Sequence, residues 1–293
     1  MTSPSALRLE RFTKQRDDFR LGPIDVALEH GLTYALVGPN GSGKTTLLKC
    51  LMNLMKPTSG TLEIFGQTYS QEEQAIKTQV AFVPDPLDGC EPFTLRQMGD
   101  FISSWYATWD DDDFARRAAA FRIPLDKRYG KMSQGDRKKA ALTLALSTHA
   151  PLLLLDEPTN GLDIASRNRL KEMLVEDAEI MDRTVVLSTH SVEDIRQFAD
   201  CILLLRNGAL EGPYEKDALI ASWRRLWLSG EPLPRLADIP GAVDWSESPF
   251  PQLVTCDRTA TLTFLSDNGI QVTKEQPLPL DELLDRLLEK GAR

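Results

Sequence analysis

Short apolar runs alternate along the chain with longer stretches whose apolar positions recur every three or four residues. Leu7 to Glu10, Ile24 to Leu28, Leu32 to Val37, Thr61 to Phe65 and Val80 to Val83 are β-rich runs that predict strands. Between two of them, Leu47, Leu48, Leu51 and Leu54 share helical spacing, predicting a helix over Lys44 to Met55 that stops before Pro57. From about residue 93 to 147 the period is helical: Leu95, Met98, Phe101, Ile102 and Trp105 fall on one face, and the acidic run Asp110 to Asp113 starts a further helix as a solvated loop and cap. Strand patterns resume at Leu152 to Leu155, Thr184 to Ser188 and Cys201 to Leu205, separated by helical stretches at Ser166 to Met181 and Val192 to Phe198. This alternation predicts an α/β fold with a parallel sheet and crossover helices.

Asn207 and Gly208 form a hairpin-turn signal, and the chain then becomes richer in proline at Pro232, Pro234, Pro240, Pro249 and Pro251. A boundary is expected near residue 215, dividing a domain over 1–214, with its helical subdomain at about 93–147, from a small α+β domain over 215–293. In the latter, Gln252 to Thr255, Thr259 to Phe264 and Gly269 to Lys274 are expected strands. Leu280, Leu283, Leu284, Leu287 and Leu288 make the apolar stripe of a final helix closed by Gly291. Trp223 and Trp227, four apart, are expected on one helix face.

Composition narrows the function classes. With 42% apolar and 26% charged residues, the chain of 293 resembles soluble globular proteins, and no window approaches the roughly 20 apolar residues of a membrane-spanning helix. A cytoplasmic location is expected. The four cysteines lie far apart without a C-x-x-C pair, which points away from a zinc site or disulfide framework. A net charge of −9 argues against direct nucleic-acid binding, which needs a basic footprint.

The segment GPNGSGKT at Gly38 to Thr45 matches G-x-x-x-x-G-K-[ST] and stands after an apolar strand and before a helix. In such a loop, Gly38, Pro39, Asn40, Gly41, Ser42, Gly43, Lys44, Thr45 and Thr46 surround the phosphates of ATP. Glycines let backbone N–H groups converge on phosphate oxygens, Lys44 offers its charge to the β and γ phosphates, and the Thr45 hydroxyl ligates Mg²⁺. Asp156 and Glu157 end the apolar run LLLLDEP, where carboxylates have no packing role and a high desolvation cost. Asp156 is the candidate Mg²⁺ holder, and Glu157 the general base toward the attacking water.

With these motifs in place, the chain resembles the ATP-binding-cassette (ABC) ATPases over residues 1 to about 212. MSQGDRKK at Met132 to Lys139 is similar to the family signature, Asn160 to Asp163 to its D-loop, and His190, 34 residues after Asp156, to its switch histidine. The resemblance implies a P-loop ABC fold: a parallel-sheet core, an antiparallel β subdomain and a helical subdomain, with a small α+β domain appended here. It also implies a head-to-tail homodimer in which Ser133 and the Gly135 N–H bind the γ-phosphate of ATP held by the opposite protomer, while His190 keeps water and Glu157 in register.

Three positions depart from the family pattern. Asp85 stands where the Q-loop glutamine is usual, as a further candidate for Mg²⁺ or a water, or as an ordinary loop aspartate. Gln134 and Asp136 replace signature residues beside the retained Ser133 and Gly135. No aromatic residue occupies position 15 or 16 to stack on adenine, leaving Arg16 or Phe19 to do so. The implied function is the ATP-hydrolysing subunit of a transporter whose membrane-spanning subunits are separate chains, held at the inner face of the membrane through them. The V-P-D and S-Q-G motifs and the leucine-rich final helix resemble exporters of the ABC-2 type. A soluble non-transport ABC ATPase and a regulatory ATP-binding module are the alternatives.

Overall fold

The computed structural model describes residues 5–229, 235–246 and 251–289, apart from the side chain of residue 179. Pro232, Pro234, Pro249 and the expected helix stop at Gly291 lie outside the described residues. Two compact units are present, Met1–Pro213 and Tyr214–Arg293.

The first unit opens with β1 (Ser5–Arg16) and β2 (Phe19–Glu29), an antiparallel pair longer than their apolar runs. β3 (Thr33–Val37) leads into α1 (Lys44–Leu51). This helix ends before the predicted Met55 because Met52 caps it and Asn53 takes a left-handed φ of 55°. Leu47, Leu48 and Leu51 are buried, whereas Leu54, beyond the cap, is 61% exposed. β4 (Ser59–Ile64) and β5 (Gln67–Thr68) complete an antiparallel sheet of order β2-β1-β4-β5.

After α2 (Tyr69–Lys77) and β6 (Val80–Val83) come three helices, α3 (Leu95–Ser103), α4 (Asp111–Ala120) and α5 (Gln134–Ser147). Each begins at a side-chain cap. Thr94 and Gln97 form a reciprocal box at α3, Asp110 accepts from the N–H groups of Asp112 and Asp113 at α4, and Ser133 accepts from Asp136 at α5. The chain then builds β7 (Leu152–Asp156), α6 (Ile164–Met181), β8 (Thr184–Thr189), α7 (Val192–Phe198), β9 (Cys201–Arg206) and β10 (Ala209–Glu215). Asn207 and Gly208, both at positive φ, make the tight turn between the last two strands.

The second sheet has the order β10-β9-β3-β8-β7-β6, with parallel pairing from β9 through β6. Every residue of β7 is buried, as expected for a parallel strand covered on both faces. Leu47, Leu48 and Leu51 of α1 belong to one apolar cluster with Leu9, Phe12 and Ile24 of the antiparallel sheet and Leu36, Leu154 and Leu203 of the parallel sheet. The helix that follows the glycine loop is thereby anchored to both sheets.

The acidic run that caps and opens α4 is only partly the solvated cap that its composition predicts. Asp113 reaches inward, where Arg117 Nε donates to it at 2.5 Å and His149 Nε2 lies 3.1 Å away. Arg117 Nη2 also donates to Asp177 on α6 at 2.6 Å, and Arg183 pairs with the other Asp177 oxygen. Arg117, Asp177 and Arg183 are almost wholly buried, so this ionic network joins the helical segment to the α6–β8 layer.

In the second unit, α8 (Lys216–Ser222) precedes β11 (Arg224–Ser229), β12 (Ala242–Ser246), β13 (Gln252–Thr255), α9 (Arg258–Asp267), β14 (Gln271–Pro277) and α10 (Leu280–Glu289). Its sheet runs β12-β13-β11-β14. The expected strand at Thr259 to Phe264 is instead helix α9. Asp257 caps it by accepting from the Ala260 N–H at 3.0 Å, and its buried positions, Thr261 and Leu265, are four apart. The Thr261 hydroxyl donates to Pro240 O and meets Thr255 Oγ1, each at 2.6 Å, so tertiary contacts override the β-branched pattern. Trp223 and Trp227 do not share a helix: Trp223 precedes β11, and Trp227 lies within it beneath the Lys274 ammonium.

Candidate nucleotide-binding site

The C-terminal ends of β3, β7 and β8 deliver the glycine loop, the Asp156–Glu157 pair and His190 to one edge of the parallel sheet. Ligands of open α/β sheets bind at this edge. β3 ends at Val37 and is followed by Gly38, where a Cβ would stand 2.1 Å from Leu205 O and 2.7 Å from Ser42 Oγ. Gly43, at φ 108°, faces the Phe19 ring so closely that a Cβ would stand 2.7 Å from it. The loop is therefore close-packed at Gly38 and Gly43, whereas a Cβ at Gly41 would meet nothing within 4 Å. Its walls, with Arg16 to Phe19 and Glu157, bound an open cleft of about 730 Å³.

Two groups in this loop have the chemistry of a phosphate cradle. Lys44 Nζ donates to the loop's own carbonyls, Gly38 O at 2.8 Å and Pro39 O at 3.4 Å, which holds the ammonium within the loop's curve. Ser42 Oγ is buried without a hydrogen-bond partner, a cost that a polar ligand would relieve. The residues fit Mg²⁺ as well as the triphosphate. Thr45 is exposed on the first turn of α1, and Asp156 offers one buried carboxylate. Among the described residues, no group of three or more His, Cys, Asp or Glu side chains is arranged to hold a metal ion.

Asp156 is 2% exposed and accepts from Ser188 Oγ at 2.6 Å across the β7–β8 pair. The next residue, Glu157, leaves the strand at φ 46°, a left-handed conformation that a non-glycine residue holds at some cost. It is held by its N–H, which donates to Ser188 O and Ser188 Oγ at 3.2 and 3.1 Å. This turn sends the carboxylate into the cleft, where Oε2 lies 3.0 Å from His190 Nδ1. The His190 ring is largely exposed.

Asp194, absent from the motif reading, organises the segments on both sides of this pair. It is 1% exposed, and Oδ2 accepts from Thr159 Oγ1 at 2.5 Å and from Thr189 Oγ1 at 2.8 Å. One carboxylate thus joins the turn after Glu157 to the residue before His190. The available signal was an acidic residue in the first turn of α7, which by itself reads as a helix-terminus charge.

Ser133 and Gly135 sit at the start of α5 and do not line the glycine-loop cleft. Ser133 Oγ accepts from the Asp136 N–H at 3.2 Å. Gly135 permits close packing, since a Cβ there would lie 2.7 Å from Gly161 O. The unusual Asp136 is charge-compensated: Lys139 at 2.7 Å, joined by Lys127 at 3.4 Å, holds its carboxyl below the usual range against the opposing effect of partial burial. Asp85 is likewise outside the cleft lining. Its Oδ1 pairs with Lys138 Nζ at 2.9 Å, and its Oδ2 accepts from Asn160 Nδ2 at 3.4 Å. Arg16 and Phe19 both line the cleft, Phe19 against the glycine loop.

A parallel sheet with a glycine loop at the N-terminus of a helix and a strand-end acidic pair beside it is the site of a P-loop nucleotide-hydrolysing protein. A family model described as ABC transporter matches residues 21–160. The putative ABC transporter ATP-binding protein AlbC of Bacillus subtilis is 31% identical over 206 residues, which cover 67% of this chain and 85% of that protein. ABC transporter ATP-binding protein YtrB of the same species is 25% identical over 267 residues, covering 90% of this chain and 91% of the relative. An ATP-binding cassette solved as a dimer in a post-hydrolysis state with ADP and Pi has the same fold, at TM-score 0.63 and 23% identity over 71% of this chain and 98% of that one. The chain belongs to the ABC transporter family as an ATP-binding subunit, and it is an ATPase. Further relatives are named for import and others for export, so membership carries no direction of transport. No helix among the described residues is long and apolar enough to cross a membrane.

Proposed function

We propose that this subunit hydrolyses MgATP within a homodimer and drives export through separate membrane-spanning chains. The observation that carries the hydrolytic part is the Glu157–His190 contact at 3.0 Å on the rim of the glycine-loop cleft. In this reading the loop N–H groups and Lys44 take the phosphates, and Thr45 and Asp156 hold Mg²⁺. The ion neutralises charge on phosphate oxygens when bound. Glu157 takes a proton from the attacking water, and His190 fixes the carboxylate's direction. Ser133 and Gly135, which do not line their own chain's cleft, serve the opposite protomer. Domain limits of 1–214 and 215–293 and adenine contact by Arg16 or Phe19 belong to the same proposal.

A membrane partner is supported by an apolar cleft of about 420 Å³ lined by residues of β6, α3 and α5 and the segments beside them. Phe93 and Phe101 on its rim are 49% and 68% exposed, an arrangement suited to an apolar helix from a membrane chain. The exporter assignment rests on the V-P-D and S-Q-G motifs and the leucine-rich α10.

Size analysis of Glu157→Gln with saturating MgATP tests the core of this reading. An ATP-dependent dimer is expected. A monomer under those conditions, or phosphate release by the wild type no faster than by the variant, overturns it. For the partner, Phe101→Asp is expected to shift the chain from the membrane to the soluble fraction of its native cell, and an unchanged distribution removes that surface. Direction is read from ATP-dependent movement of cargo in inverted vesicles that contain the complex; accumulation inside supports export.

A further inference from the structure

We infer that Asp85 and Lys138 form a charge-neutral positioning pair that holds the Asp156–Glu157 peptide in place, and that Asp85 is not a ligand of the metal. The inference deepens the proposed hydrolytic function and rests on that reading of Glu157.

Lys138 lies on α5, and its side chain is 6% exposed. An ammonium so deeply placed is costly unless its donors are used. Two partners use them: Asp85 Oδ1 at 2.9 Å, and the backbone carbonyl of Asp156 at 3.2 Å. That carbonyl belongs to the peptide joining Asp156 to Glu157, the point where the chain enters its left-handed turn. Ser188 holds the other side of this turn by accepting from the Glu157 N–H and donating to the Asp156 carboxylate. Lys138 and Ser188 therefore grip the peptide from two directions, and its orientation decides where the Glu157 carboxylate points.

Asp85 supplies the countercharge that lets Lys138 stay buried. With Oδ1 committed to Lys138 and Oδ2 accepting from Asn160, both of its oxygens have partners on this chain. The loop after β6, the start of the α5 signature segment, the end of β7 and the turn containing Asn160 thus meet at a single ion pair. A carboxylate at position 85 would add negative charge beside a bound triphosphate, but Lys138 cancels it within the pair. The departure at Asp85 is thus compensated by a lysine of this same chain.

A double-mutant cycle on the full chain tests the pairing, with phosphate release, nucleotide affinity, magnesium half-saturation and thermal midpoint measured for each protein. Lys138→Gln is expected to lower kcat by about tenfold or more while nucleotide affinity changes by less than about threefold, because it releases the Asp156–Glu157 peptide and strands the Asp85 charge. Asp85→Asn combined with Lys138→Gln is expected to recover at least about fivefold of that loss. Lys138→Arg should retain more activity than Lys138→Gln. Asp85→Asn alone should leave the magnesium half-saturation unchanged, and a rise of about tenfold would make Asp85 a metal ligand and overturn the inference. Independent effects of the two substitutions on kcat would also overturn it. If Lys138→Gln fails to fold while the double variant folds, the pairing is supported; failure of both leaves Asp85→Asn and its magnesium dependence to decide. Absence of wild-type turnover above Glu157→Gln would defeat the hydrolytic reading itself, whereas normal turnover with an additive cycle would defeat only the pairing.

Discussion

His190 Nδ1 stands 3.0 Å from Glu157 Oε2, although the two residues arrive from neighbouring strands, β8 and β7. Their approach depends on the parallel register that sets Asp156 opposite Ser188. His190→Ala is expected to slow phosphate release by about 10²–10⁴-fold, the range of a positioned acid–base partner, with nucleotide affinity within a few-fold of wild type. An unchanged rate in a single-turnover measurement would remove His190 from the reaction.

The two ends of the glycine loop should respond differently to a methyl group. Gly38→Ala would place Cβ 2.1 Å from the Leu205 carbonyl, a backbone atom that cannot move aside cheaply, so nucleotide binding and folding are both expected to fail. Gly41→Ala meets nothing within 4 Å and is strained only by its φ of 81°, a cost of about 1–2 kcal/mol. Thermal unfolding and titration with a fluorescent nucleotide compare the two, and equal tolerance would contradict the packing described.

Asp177 is shared between two buried guanidinium groups, Arg117 and Arg183, and Arg117 also pairs with Asp113. Asp177→Asn leaves both short of countercharge and is expected to destabilise the protein by about 3–5 kcal/mol. Urea denaturation measures this loss. A value under about 1 kcal/mol would mean that Asp113 alone suffices for Arg117.

Burial pushes the Asp113 carboxyl upward, but hydrogen bonds from His149, Arg117 and Arg116, with the charge of Arg117, outweigh it and hold the group well below the usual carboxylate range. A carboxyl depressed by folding adds stability above its unfolded value, near about 4, and that contribution disappears as pH falls through its folded value. Stability should therefore decline as the solution is acidified below about pH 4, and the decline should be shallower in Asp113→Asn. Denaturation curves at pH 7 and pH 3 for both proteins test the sign, and parallel declines would exclude Asp113 as a contributor.

The loop at residues 38–46 was legible because its conformation is local: glycines for close approach and positive φ, then a lysine and a hydroxyl at the start of a helix. The hydrophobic periods likewise located β6, β7 and α7, since strands and helices impose different spacings on the apolar residues of a short segment. The acidic pair at Asp156 and Glu157 stood out because a carboxylate ending an apolar strand has no packing purpose. In each case sequence neighbours contain the whole physical reason.

Other features are decided by partners far along the chain. Thr259 to Phe264 reads as a strand by its β-branched alternation, yet Thr261 bonds to Thr255 and Pro240, and the Asp257 cap turns the segment into a helix. Asp113 reads as a solvated cap residue until Arg117, His149 and the neighbouring Asp177 network bring it inward. Asp85 looks like an unfavourable charge beside phosphates, but Lys138, more than fifty positions away, neutralises it. Local pattern determined which chemistry this chain carries. The tertiary structure decided which charges are paired and where Glu157 points, because the energy of a buried ion or a strained peptide depends on groups that only folding brings within hydrogen-bond distance.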